Sequence, residues 1–166
     1  MKGTGTGILM TLLLACASDA PVRLERPDLG IAATFPGPPQ GARLVTPTPY
    51  GEIEWFSHSW HPGARLDEDF HTAVGNLPPG RRGGSTPDEV LRTQEAWLRQ
   101  RFGALERFEL PSGRGPSFRY GAPGPAGSRI SGIVVVRRGR LHIAQATVRR
   151  AADPRVETFL DSFSVR

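Results

Sequence analysis

Four consecutive apolar residues, Ile133-Val134-Val135-Val136, constrain the architecture more than any other stretch of this chain. Side chains of a strand point alternately to its two faces, so an unbroken β-branched run needs apolar cover on both, as at the centre of a sheet. One layer of helix cannot supply it. Arg137-Arg138-Gly139-Arg140 follows, and the β-rich pattern then resumes, so 130–136 and 141–148 are predicted as the two arms of a hairpin.

Two helices are available as cover. Thr86-Pro87-Asp88-Glu89 places a capping hydroxyl first, Pro at the first helical position and Glu where it reaches back to the cap. Val90, Leu91, Gln94, Trp97, Leu98, Arg101 and Phe102 then recur on one 3.6-period face, and Gly103 provides a left-handed stop. Asp153-Pro154 opens a second helix with the stripe Val156, Phe159, Leu160 and Phe163. Further strands are predicted at 31–35, 43–48, 52–61, 70–74, 105–110 and 117–120, divided by runs rich in Pro and Gly such as Pro36-Gly37-Pro38-Pro39. The order implies an α+β domain, a mainly antiparallel sheet flanked by helices. With 166 residues, 38% hydrophobic and 22% charged, the chain suits a single domain, placed at 29–166.

The first residues read as an address. Lys2 precedes the apolar run Ile8 to Leu14, which is followed at once by Ala15-Cys16. The run is far short of the roughly 20 apolar residues of a membrane-spanning helix. Leu13-Leu14-Ala15-Cys16 resembles the lipobox of bacterial lipoproteins. The resemblance implies a signal peptide at 1–15, a diacylglycerol on the sulfur of Cys16, and an exported protein anchored in the bacterial cell envelope, facing the periplasm. An ordinary secretory peptide is the other reading. Residues 16–28 have no periodic apolar pattern and are expected to act as a tether.

Several further features carry a second resemblance: Phe35-Pro36-Gly37-Pro38-Pro39, the strand pair around Thr46-Pro47-Thr48-Pro49-Tyr50-Gly51-Glu52, one helix in mid-chain, a late hairpin, and Phe159-Leu160-Asp161-Ser162-Phe163 at the end. This layout is similar to exported bacterial domains of the PsbP/DcrB-like group over roughly 29–166. It implies a PsbP-like α/β/α sandwich and a binding or assembly role without catalysis or cofactor.

Charge is unevenly spread. Residues 110–152 hold eight Arg and no acid, whereas 44–109 carry ten acids against seven Arg. Arg137, Arg138 and Arg140 gather at the predicted hairpin tip and Arg149-Arg150 lie at its far end, candidates for contact with anionic lipid or phosphate at a membrane. A solvated face paired with the acidic half is the competing reading. Export argues against nucleic acid, and the partners expected are the membrane and an envelope protein.

Chemical motifs are few. No Gly-x-Ser-x-Gly occurs, and Lys2 is the only Lys. On a regular strand His58 and His61 point to opposite faces, which disfavours a shared metal. His142, beside Ala144 and Ala146, reads as a structural histidine. His61 and His71 with Asp67 or Asp69 form a candidate metal site. Asp67-Glu68-Asp69 lacks the ligand alternation and turn glycine of a calcium loop. The aromatic strand 53–61, with Trp55, Phe56 and Trp60, is the other candidate binding surface for a small ligand: about half its rings belong to the core, and an exposed Trp60 near Tyr50 would mark a cleft.

Overall fold

The computed structural model describes residues 20–62, 68–78, 86–111, 115–150 and 152–166. In chain order the elements are β1 (Val22–Arg26), β2 (Ile31–Phe35), β3 (Gln40–Thr48), β4 (Gly51–Trp60), β5 (Asp69–Asn76), α1 (Pro87–Phe102), β6 (Glu106–Glu109), β7 (Ser117–Pro123), β8 (Arg129–Arg137), β9 (Arg140–Val148), α2 (Pro154–Ser162) and β10 (Ser164–Val165). Seven strands form one sheet in the order β3-β4-β5-β9-β8-β7-β6, and β1-β2-β10 form a small second sheet. The described pairings are antiparallel throughout.

The apolar run at 133–136 sits in β8, buried on both faces. Val134 and Val136 join Ile130, Phe118, Leu141 and the α1 residues Val90, Leu91 and Leu98 in one core. Ile133 and Val135 join Ala144, Ala146 and the α2 residues Val156, Phe159 and Leu160 in the other, which the small sheet closes with Ile31, Ala33 and Phe35. In that second core Phe159 meets Phe35 edge-on at 5.0 Å and Phe70 at 5.6 Å. The α+β sandwich expected from the sequence is therefore the fold, with α1 on one side of the large sheet and α2 plus the small sheet on the other.

Local signals placed both helices. Glu89 N–H donates to Thr86 Oγ1 at 3.3 Å and Thr86 N–H to Glu89 Oε2 at 2.7 Å, the reciprocal capping pair. Asp153 caps α2 by accepting from Arg155 N–H at 2.9 Å. The β8–β9 hairpin turns on Arg138 and Gly139, both left-handed with φ of 52° and 70°, as a two-residue turn matched to strand twist requires.

Two elements depart from expectation. Residues 22–26, read as part of a tether over 16–28, form β1 and pair along their whole length with β2. The folded body thus begins before residue 29. The chain also ends in a strand, β10, which adds to the other edge of β2.

Candidate functional site: a groove beside α1

Helix α1 packs over β7 and β8 and leaves much of the same face of β4, β5 and β9 uncovered. There the sheet carries polar side chains. The register sets Gln40 opposite Ser59, Ser59 opposite His71, His71 opposite Gln145, Gln145 opposite Gly132, and Gly132 opposite Tyr120, a transverse row shared by six strands. Tyr120 spans the gap left by Gly132, donating its hydroxyl to Gln145 Oε1 at 2.7 Å. Burial pushes the Tyr120 phenol up, so it stays a donor.

A groove of about 430 Å³ runs between this part of the sheet and α1, a size suited to a small molecule. Trp55 of β4 lies over Gly75, where an added Cβ would come within 2.8 Å of its ring, and donates its indole N–H to Thr46 Oγ1 at 2.9 Å. Trp97 and Arg101 of α1 form the wall, with the Arg101 guanidinium 5.3 Å from the Trp97 ring centroid. The helix is pinned at its start by Tyr50, whose hydroxyl donates to Val90 O at 2.7 Å. Ser57, Ser59 and His71 line the floor. His71 donates from Nδ1 to Asp69 Oδ2 at 2.9 Å, which fixes the tautomer and leaves Nε2 as an acceptor while the ring is neutral.

Comparison with known proteins bears on the scaffold. No family model matches the chain, and no curated protein does. Among solved structures, the solution structure of cyanobacterial PsbP (CyanoP) from Synechocystis sp. PCC 6803 is similar, with a TM-score of 0.51 and 13% identity, over 100% of this chain and 98% of that one. The fold is PsbP-like. At that identity the likeness concerns the backbone architecture, and the side chains of the groove have to be read on their own chemistry.

The residues singled out from the sequence fall in several places on this PsbP-like body. His61, His71 and Asp69 do come together: His61 Nδ1 lies 3.6 Å from Asp69 Oδ1 and 3.3 Å from Glu68 O. Both imidazoles thus turn the same nitrogen toward one carboxylate, and among the described residues no three His, Cys, Asp or Glu side chains are placed to hold a metal ion. Asp67 lies outside the described residues, as does Cys16. Glu68 of the acidic triplet is buried and paired with Arg155 at 3.0 Å.

The five arginines do not form one patch. Arg137 and Arg140 sit at one end of β9 and Arg149 and Arg150 at the other, about 26 Å away for nine residues in extended form. Arg137 donates to Val165 O at 2.8 Å and Arg140 to Asp28 O at 3.0 Å, so both fasten the small sheet to the hairpin, and Arg138 is exposed at the turn. In the aromatic strand the alternation separates Trp55, on the α1 face, from Phe56, His58 and Trp60, on the α2 face. Trp60 is 8% exposed and Tyr50 6%, and they belong to different cores, so the cleft those two would have marked is replaced by the Trp55–Trp97 groove. Trp97 and Arg101 had been legible only as members of the helix's packing stripe.

Proposed function

We propose that this protein is a non-catalytic binding module of the bacterial cell envelope, exported and held at a membrane by a lipid on Cys16, which engages a small ligand in the groove beside α1. The observation that carries the reading is the groove itself. Two of the three tryptophans, a histidine oriented by a carboxylate and an arginine all line one concavity on the sheet face that α1 leaves open. Aromatic walls with a few oriented polar groups are what a small-molecule site needs. The lipobox-like Leu13-Leu14-Ala15-Cys16 supports the anchor, and among the described residues no helix is long and apolar enough to cross a membrane.

Purification of the full chain from membranes of its native host, followed by mass spectrometry of released small molecules and of the N-terminal peptide, tests both parts. A compound that accompanies the native chain and is absent from a Ser57→Phe variant, whose groove is filled, is the expected result. Identical small-molecule profiles would overturn the groove reading, and an unmodified Cys16 thiol would overturn the anchor.

A further inference from the structure

The arginines of this protein are mostly engaged. Arg99 and Arg107 converge on Glu95, Arg43 pairs with Glu54, Arg119 with Glu157 at 2.6 Å, Arg129 with Glu106 at 2.7 Å, and Arg155 with Asp153 and Glu68. Arg101 differs. It lines the groove, yet among the described residues no carboxylate pairs with it, and its guanidinium lies instead against the faces of Trp97 and Phe102, at 5.3 and 5.7 Å from their centroids. Stacking uses the flat face of a guanidinium and leaves the N–H donors around its edge available for a planar acceptor.

The other charges at the groove do not compete for that edge. Among the described residues Asp69 is the one carboxylate in the lining, and its Oδ2 accepts from His71 while its Oδ1 is buried near His61. Gln94, Ser57 and Ser59 add neutral hydrogen-bonding groups, His71 adds an imidazole already bonded to Asp69, and Trp55 and Trp97 add apolar, flat surface. A cation at the end of a helix also interacts favourably with the helix dipole. Arg99, in the same turn as Arg101, already serves that end of α1.

Building on the groove reading above, we infer that the ligand taken there is a small aryl-type carboxylate, its anionic group held by the edge of Arg101 and its flat apolar body lying against Trp97 and Trp55. A carboxylate matches the paired N–H geometry of the guanidinium, which is exposed at the rim of the groove and open to a ligand entering from solvent. Neutral ligands of the same shape leave Arg101 without a counter-ion, and an amide carbonyl offers it only a single uncharged acceptor.

Calorimetric titration of the full-length chain with 2-naphthoate and with its uncharged isostere 2-naphthamide tests this. The naphthoate is expected to bind about tenfold more tightly than the amide, the scale of one charge-assisted hydrogen-bonded pair. Arg101→Gln should abolish the preference by weakening naphthoate about tenfold more than naphthamide, and Arg101→Lys, which keeps the charge but not the fork, should restore part of it. Equal affinities for the two probes in the native chain, a preference that survives Arg101→Gln, or binding of neither probe would each overturn the inference. Loss of both probes on Ser57→Phe, together with equal native affinities, would leave the groove as a binding site and remove only the anionic class. Naphthoate binding unaffected by Ser57→Phe would show that the probe sits elsewhere and would count against the groove reading as well.

Discussion

At Gly132 the absence of a side chain decides the course of another one. A Cβ built there would lie 2.6 Å from the ring and hydroxyl of Tyr120, which is 1% exposed and closes the polar row by bonding Gln145. Alanine would push a buried ring off its rotamer, an overpacking cost of about 1–3 kcal/mol. The midpoint of urea denaturation should fall accordingly for Gly132→Ala, and an unchanged midpoint would show that the ring moves freely. On the opposite sheet face His142 is 2% exposed, and burial lowers its pKa from 6.5 to about 4, opposed in part by a hydrogen bond to the backbone of Arg137. The unfolded chain therefore takes up a proton between pH 6.5 and about 4 that the folded chain refuses, so the stability it contributes is complete above pH 6.5 and is lost as pH falls, by about 3 kcal/mol across that window. His58, lowered chiefly by burial and then by Arg26, whose Nη1 donates to its Nε2 at 2.8 Å, acts in the same direction. Unfolding free energy measured from pH 7 to pH 4 should decline less steeply for His142→Gln than for the native chain.

Among the elements, α1 and the β8–β9 hairpin were legible because their signals are local. A hydroxyl, a proline and a glutamate within four residues specify a helix start, and a β-branched run beside Arg-Gly specifies an arm and its turn. Thr86→Ala should cost about 1 kcal/mol, and because α1 forms one wall of the groove, the same substitution should loosen Trp97. Hydrogen exchange of the first turn of α1 and tryptophan anisotropy would show both effects, and protection equal to the native chain would refute the coupling. Strands β1 and β10 were not legible, for a physical reason. In β1 the residues alternate between half-buried and exposed, with Arg23 and Glu25 pointing outward and Arg26 ending the strand, and β10 is only two residues long. Neither holds enough apolar surface to declare itself, and each is fixed by the edges of β2. The groove failed to show for a different reason. Trp55, His71, Ile143 and Arg101 come from four elements, and only the strand register together with the packing of α1 gathers them at one groove. The pairing of His71 with Asp69 was visible because residues two apart on a strand share a face.

Across the whole molecule, charge that is segregated along the chain is mixed in space: Arg119 and Arg129, from the acid-free stretch, meet Glu157 and Glu106. The same interleaving ties the two ends of the body together. Thr34 N–H donates to Ser162 Oγ at 2.7 Å, Arg23 to Ser162 O at 3.2 Å, and Arg166 N–H to Gly30 O at 2.9 Å, while Arg26 and Arg140 fasten this small sheet to the large one through His58 and Asp28. A tether that ended at residue 28 would be dispensable for folding, but β1 is part of this joint, and Leu24 packs on the second core. Relative to a chain starting at Ala20, one starting at Asp28 therefore loses the ladder to β2, the Leu24 contact and the Arg26–His58 bond. Half-burial of Leu24 is worth about 1 kcal/mol and the strand's hydrogen bonds add to it, enough to lower the midpoint by several degrees in a domain of this size. The groove lies on the far side of the large sheet, so naphthoate binding by the shorter chain, measured well below its midpoint, should match that of the longer one. Equal midpoints for the two truncations would mean that β1 pairs without contributing to the body, and that the folded unit starts at β2 after all.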